Sequence, residues 1–356
     1  MFSQVIFNVF KDFNSNNVKY CHWKSTDHLE ASFMAETDLD VLVSAQSFSI
    51  VEPILIKRGF VRCRTPSLRT YPAVEDYVFF DYKLSKWIHF HLHYGLPCGD
   101  RWVKSYHLPI EKYLVDKRIF IEKYKMYNID PISEYLMFIY RMHMKWRNPD
   151  NKSSVLKENT FLVNYLSDNG FDQNIFNEAI KVHPLYDESQ DEYIRNWFCK
   201  NPSKNSFYSR LKFKRFLKKY RGMSEVTFNF LNFLRFYYRV IIEARRRFFN
   251  KKNTGRRQLV TGGKLVVFVG MDGAGKTSMI EAVFNQFSKQ INVQKVFLGT
   301  GRSGAGWIRF VGFKLFGTKD YSSKKSLELN NGAIIKSKFS ILNLIVNISD
   351  YTRRKP

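Results

Sequence analysis

Residues 264–278 read KLVVFVGMDGAGKTS, and no other stretch restricts the fold as tightly. Gly270, Gly275, Lys276 and Thr277 satisfy G-x-x-x-x-G-K-[ST], a phosphate-binding loop that joins a strand to a helix. Both flanks agree. Leu265, Val266, Val267, Phe268 and Val269 form a short apolar run that predicts a buried parallel strand. Met279, Ile280, Ala282, Val283 and Phe287 recur at helical spacing. Gly273 and Gly275 let the backbone close around phosphates where a Cβ would obstruct. Amide N–H groups of the loop, Ala274 included, and of the helix start then point at the anion. Lys276 places a charge at the β- and γ-phosphates, and the Thr277 hydroxyl is the expected Mg²⁺ ligand. ATP with Mg²⁺ is therefore the expected cofactor.

The loop Gly270-Met271-Asp272-Gly273-Ala274-Gly275-Lys276-Thr277, completed by Ser278, resembles that of the thymidylate kinase group of P-loop kinases. The generic motif does not ask for Asp272. The resemblance implies a parallel-sheet α/β domain and phosphoryl transfer from ATP to a small phosphorylated or hydroxyl acceptor. It implies Lys276 as a catalytic cation and Asp272 near the metal or the acceptor. It covers residues 259–356 only. Where the family carries an acceptor-binding stretch, this chain has Phe297-Leu298-Gly299-Thr300-Gly301-Arg302, and Arg302 is the candidate for the acceptor phosphate. Residues 341–354 resemble the helix before the family's Asp-Arg-Tyr strand, and Pro356 ends the sequence shortly after. The 93 residues from Lys264 to Pro356 are about half of such a domain. The expectation is an N-terminal half alone, either truncated or completed by a second chain.

At the other end, Thr37-Asp38-Leu39-Asp40-Val41-Leu42-Val43 predicts a strand whose period of two puts both carboxylates on one face. Paired carboxylates hold divalent metals, which activate an attacking oxygen. Upstream lies His22-Trp23-Lys24-Ser25, and downstream Trp87-Ile88-His89-Phe90-His91-Leu92-His93-Tyr94, with three histidines on one face. The arrangement resembles the nucleotidyltransferase superfamily, which implies Asp38 and Asp40 as catalytic metal ligands and Ser25 as the turn serine. Lys24 replaces the glycine before that serine. The superfamily's third acid has no evident counterpart, and Asp81 is the nearest substitute. The histidines predict hydrogen bonds in a polar pocket, with metal ligation as the alternative. The order of these motifs resembles two-domain proteins of bacterial surface-polysaccharide gene clusters.

The expected organisation is an α/β nucleotidyltransferase-like domain (1–125), a helical segment (126–203), a basic connector (204–258) and the incomplete P-loop domain (259–356). In the segment, Asp130 caps a helix that Pro131 begins, and 152–159 reads as a loop. Residues 204–257 hold 17 Lys or Arg against Glu225 and Glu243, interleaved with aromatics. That helix reads either as a solvated connector whose aromatics pack on a domain or as a binder of an anionic membrane surface, with nucleic acid the lesser alternative. With a net charge of +25, the chain favours anionic partners. Four dispersed cysteines and no signal peptide point to a cytoplasmic protein, peripheral at the inner face of the membrane. Three functions stay open: an ATP-dependent kinase, a metal-dependent nucleotidyltransferase, and a non-catalytic assembly factor of polysaccharide synthesis.

Overall fold

The computed structural model describes residues 1–66, 70–99, 103–145, 152–200, 202–248, 256–271 and 273–295. They belong to a mixed α/β unit, Met1–Val293, and the first two residues of a second unit, Gln294–Pro356. Asp272, Arg302 and the expected strand and helix beyond residue 295 lie outside the described residues.

The chain opens with α1 (Gln4–Ser15), β1 (Tyr20–His22), α2 (Leu29–Phe33), β2 (Leu39–Val43), α3 (Phe48–Lys57) and β3 (Val61–Arg64). A hairpin follows, β4 (Val74–Asp81) and β5 (Lys86–His93), then β6 (Pro97–Cys98), β7 (Tyr106–His107), α4 (Glu111–Asp116), β8 (Ile119–Ile121) and β9 (Met126–Asn128). Helices α5 (Pro131–Lys145), α6 (Ser153–Asp168), α7 (Gln173–Lys181), α8 (Asp191–Phe198), α9 (Phe207–Leu217) and α10 (Glu225–Phe248) come next. The short strand β10 (Gln258–Leu259) and helix α11 (Lys276–Phe287) end the described elements.

Eight strands form one sheet in the order β10-β3-β4-β5-β2-β1-β9-β8. The pairs β2–β5 and β1–β9 are parallel, and the others antiparallel. Strand alternation divides the central residues. Leu39, Val41 and Val43 of β2, with Ile88, Phe90 and Leu92 of β5, share a core with Ile6, Val9, Phe10 and Phe13 of α1 and Val51 and Leu55 of α3. Arg58 donates to both Asp12 oxygens, at 2.6 and 2.7 Å, and ties the end of α3 to α1. The opposite face carries Asp40 and Leu42 of β2 and His89, His91 and His93 of β5.

Beyond that face lies α5. Asp130 accepts from the Ser133 amide at 3.0 Å, the expected cap, and Pro131 is the first helical residue. Tyr135 through Tyr140 are all buried, because α5 is wrapped by the sheet and by α6–α9 in a second core. Residues 153–159 are not the expected loop but the start of α6. Val155 is buried there, and Asn159 accepts from the Tyr135 hydroxyl while donating to the Trp197 carbonyl, so tertiary contacts override a polar sequence.

Residues 265–269 also depart from expectation. They join no strand, and Leu265, Val266, Val267 and Val269 are exposed. An apolar run becomes a buried strand only where neighbouring strands cover it. Helix α11 instead docks on the β4–β5 hairpin. Phe287 meets Trp87 and Phe80 with ring centroids 5.2 and 5.6 Å apart, and the Trp87 indole N–H donates to the Gln286 carbonyl. Among the described residues no helix is long and apolar enough to cross a membrane. All four cysteines are free.

Candidate functional site

Parallel pairing sets Asp40 beside His91, and the antiparallel hairpin sets Asp76 of β4 beside the same histidine. Three adjacent strands thus bring Asp38, Asp40, Asp76, His89, His91 and His93 together on one face, Asp38 from the residue before β2. His89 Nδ1 lies 2.9 Å from Asp38 and its Nε2 2.8 Å from Asp76. His91 Nδ1 lies 3.3 Å from Asp40, and its Nε2 3.1 Å from Asp76 and 4.0 Å from Asp38. His93 Nε2 is 3.1 Å from Asp40. All three histidines bond to carboxylates on this face.

Asp81 is not the third acid. It lies five residues from Asp76 on one strand, hence on the opposite face, and it accepts from Ser3 Oγ and from the Lys83 and Leu84 amides in the hairpin turn. Asp76 is the acid on the site face. The register of β4 against β5, which sets Asp76 opposite His91, decides this. Lys24 also has a place: its ammonium lies 2.8 Å from Asp40 and 4.8 Å from the centre of the Trp23 ring. Ser25 beside it adopts a left-handed backbone at φ 61°.

The electrostatics follow from crowding. Burial alone would raise Asp40, but Lys24, His91 and His93 outweigh it and hold the carboxyl well below its ordinary range. Asp76 is pulled down despite burial by hydrogen bonds from His89 and His91. Burial opposes a charge on His91, yet Asp40 and Asp76 raise it to about 9. His93 goes the other way, to about 4, because burial and the nearby Lys24 outweigh its bond to Asp40.

The site opens on a cavity of about 630 Å³. Asp76, His91, His93, Trp23 and Lys24 line one wall. The rest includes Arg62 and Arg64 of β3, Lys104, Arg141 and Lys145 of α5, Arg239 of α10, and Arg257. Glu75 and Asp76 are the acids among the lining residues. Burial, then the charge of Lys24, lowers Lys104 to about 8. Two buried groups on this wall, Trp23 Nε1 and His93 Nδ1, have no hydrogen-bond partner. A donor and cations gathered around a void suit a polyanionic ligand.

The P-loop is a separate place, since none of the described residues among 270–278 lines this cavity. Gly273 and Gly275 adopt left-handed φ of 86° and 76°, and Gly275 is the cap residue just before α11. Lys276 Nζ donates to the Gly270 and Met271 carbonyls at 2.7 and 2.5 Å, folding its charge into the loop. Thr277 and Ser278 follow in the first turn of the helix. Comparison with family models, curated proteins and solved structures finds no match to this chain.

Proposed function

We propose that the Asp/His face is a metal-dependent transfer site for a nucleoside triphosphate, of the nucleotidyltransferase type. The observation that carries this reading is the convergence of Asp38, Asp40 and Asp76 on one face, where Asp76 and His91 reach the wall of a cavity lined by eight Lys or Arg side chains. In such a reaction an acceptor oxygen attacks the α-phosphorus and pyrophosphate leaves. A divalent cation at the carboxylate–imidazole cluster would supply Lewis-acid stabilisation of the transferring phosphoryl group. The basic wall would bind the β- and γ-phosphates and take up the charge that builds on the leaving group. Lys24 holds Asp40 in place and keeps it ionised.

The test is pyrophosphate release from the four common nucleoside triphosphates, with sugar phosphates as acceptors. Asp38→Asn with Asp40→Asn is expected to abolish release, and Lys276→Ala to spare it. The reverse pattern would move the chemistry to the P-loop.

A second reading has its own observation. The left-handed Gly275 and the inward Lys276 suit Mg·ATP binding at the start of α11. Calorimetry with ATP would then show binding that Lys276→Ala removes, and γ-phosphoryl transfer in place of pyrophosphate release.

A further inference from the structure

We infer that the cation at this face is a first-row transition metal, with Asp38, His89 and His91 as its protein ligands and Asp76 and Asp40 as the carboxylates that orient the two imidazoles. This rests on the transfer-site reading and goes beyond it, because carboxylates alone would suit Mg²⁺.

The donor atoms carry the argument. One ligand atom each from Asp38, His89 and His91 lies within 4.8 Å of the others, as a shared ion requires. Two imidazole nitrogens and one carboxylate oxygen form a set that favours Zn²⁺, Fe²⁺, Co²⁺ or Mn²⁺, whereas Mg²⁺ prefers oxygen and retains its waters. Each ring then has one nitrogen near Asp38 and the other on a second carboxylate. His89 presents Nδ1 towards Asp38 and holds Asp76 with Nε2. His91 holds Asp40 with Nδ1 at 3.3 Å, and its Nε2 lies 4.0 Å from Asp38 and 3.1 Å from Asp76, which already bonds His89. A histidine that ligates a metal through one nitrogen and donates its other N–H to a carboxylate has a fixed tautomer and ring orientation. Both histidines meet that condition with different carboxylates.

A second trio, Asp40, His91 and His93, also brings its donor atoms together. It is the poorer site, because one Asp40 oxygen already faces the Lys24 ammonium, His91 and His93. Among the described residues no lysine pairs with Asp38, whose side chain is about half exposed, at 48%. That exposure leaves open the positions a substrate oxygen needs. Trp23 packs against His93, with ring centroids 5.0 Å apart, and closes the far end of the histidine row.

The experiment uses the full chain, freed of metal by a chelator, with no nucleotide present. Co²⁺ is titrated by visible absorption, and Zn²⁺, Mn²⁺ and Mg²⁺ by calorimetry. One Co²⁺ per chain is expected, displaced by Zn²⁺ and not by a hundredfold excess of Mg²⁺. Asp38→Asn removes a half-exposed side chain, so the fold survives, and Co²⁺ affinity is expected to fall at least tenfold. Asp76→Asn is expected to weaken Co²⁺ about 10- to 100-fold while its absorption band persists. Circular dichroism checks the fold of each variant. Mg²⁺ displacing Co²⁺ with equal affinity, or wild-type Co²⁺ affinity in both Asp38→Asn and His89→Gln, would overturn the inference. Pyrophosphate release by a Mg²⁺-only sample that binds no Co²⁺ would overturn it and leave the transfer reading standing. Co²⁺ bound as expected in a chain that turns over no nucleotide would do the opposite.

Discussion

Asp76 and Asp81 sit on the same strand with opposite duties, and single substitutions separate them. Asp76→Asn is expected to lower pyrophosphate release by a factor of 100 or more. Asp81→Asn weakens bonds to Ser3 and the hairpin turn, costs on the order of 1 kcal/mol of stability, and leaves turnover near wild type. Equal turnover in the two variants would remove Asp76 from the site. Below the face, Glu134 of α5 is buried and bonded to the Thr26 amide and hydroxyl at 2.9 and 2.6 Å. Thr26 in turn accepts from Asn128, which contacts His22 Nδ1, so this chain of bonds holds the loop that carries Lys24. Burial raises Glu134 from 4.5 to about 7, against the pull of Thr26. Between those values the folded chain keeps a proton that the unfolded chain releases. Stability is therefore lost as pH rises through that window, by an amount on the order of 3 kcal/mol. Burial lowers His22 from 6.5 to about 4, which has the opposite sign and masks the effect below about 6.5. The readout is accordingly a difference: Glu134→Gln should become more stable relative to wild type as pH goes from 5 to 8. A pH-independent difference in melting temperature would show that Glu134 does not titrate in that range.

At the scale of elements, Phe287 supplies the aromatic contact between α11 and the β4–β5 hairpin. Phe287 packs between Trp87 and Phe80 and is partly buried, so Phe287→Ala is expected to cost about 2 kcal/mol, less than a full core truncation. Amide exchange over residues 276–287 should accelerate in that variant while β2 and β5 stay protected. Unchanged exchange in α11 would mean that the hairpin does not hold it. Helix α10 presents the opposite situation. Val226, Phe230, Phe233, Tyr237 and Ile241 recur at intervals of three or four and are all exposed, beside Arg235 and other cations. This stripe supports the proposal of a peripheral membrane role. Vesicles containing phosphatidylserine should then retain the chain at low salt and release part of it at high salt. Retention equal on neutral vesicles would count against the role of charge.

At the scale of the molecule, Arg257 links regions distant in sequence. Its Nε lies 3.5 Å from Asp76 at the site, and its guanidinium donates to Gln290, just past α11, at 2.9 Å. The Arg257 carbonyl accepts from the Asn292 amide, and β10 adds the next residues to the edge of the sheet. Arg257→Ala should therefore loosen α11 in amide exchange and weaken triphosphate binding at the Asp/His face in the same variant, each several-fold. A change in one without the other would separate the two.

Much of this site is written in local sequence. The Asp38–Asp40 pair and the three alternating histidines were legible because a strand has period two, which no packing alters. The Gly275-Lys276-Thr277 turn was legible because left-handed glycines and a helix start are local properties. Asp76 was not, because its membership depends on the register of β4 against β5. Nor was the use of Arg62, Arg141, Arg239 and Arg257 in one basic wall, since they come from separate elements that only chain folding brings together. The helix at 153–159 and the exposed run at 265–269 share that cause: propensity is a weak local bias, and burial against distant neighbours decides the outcome.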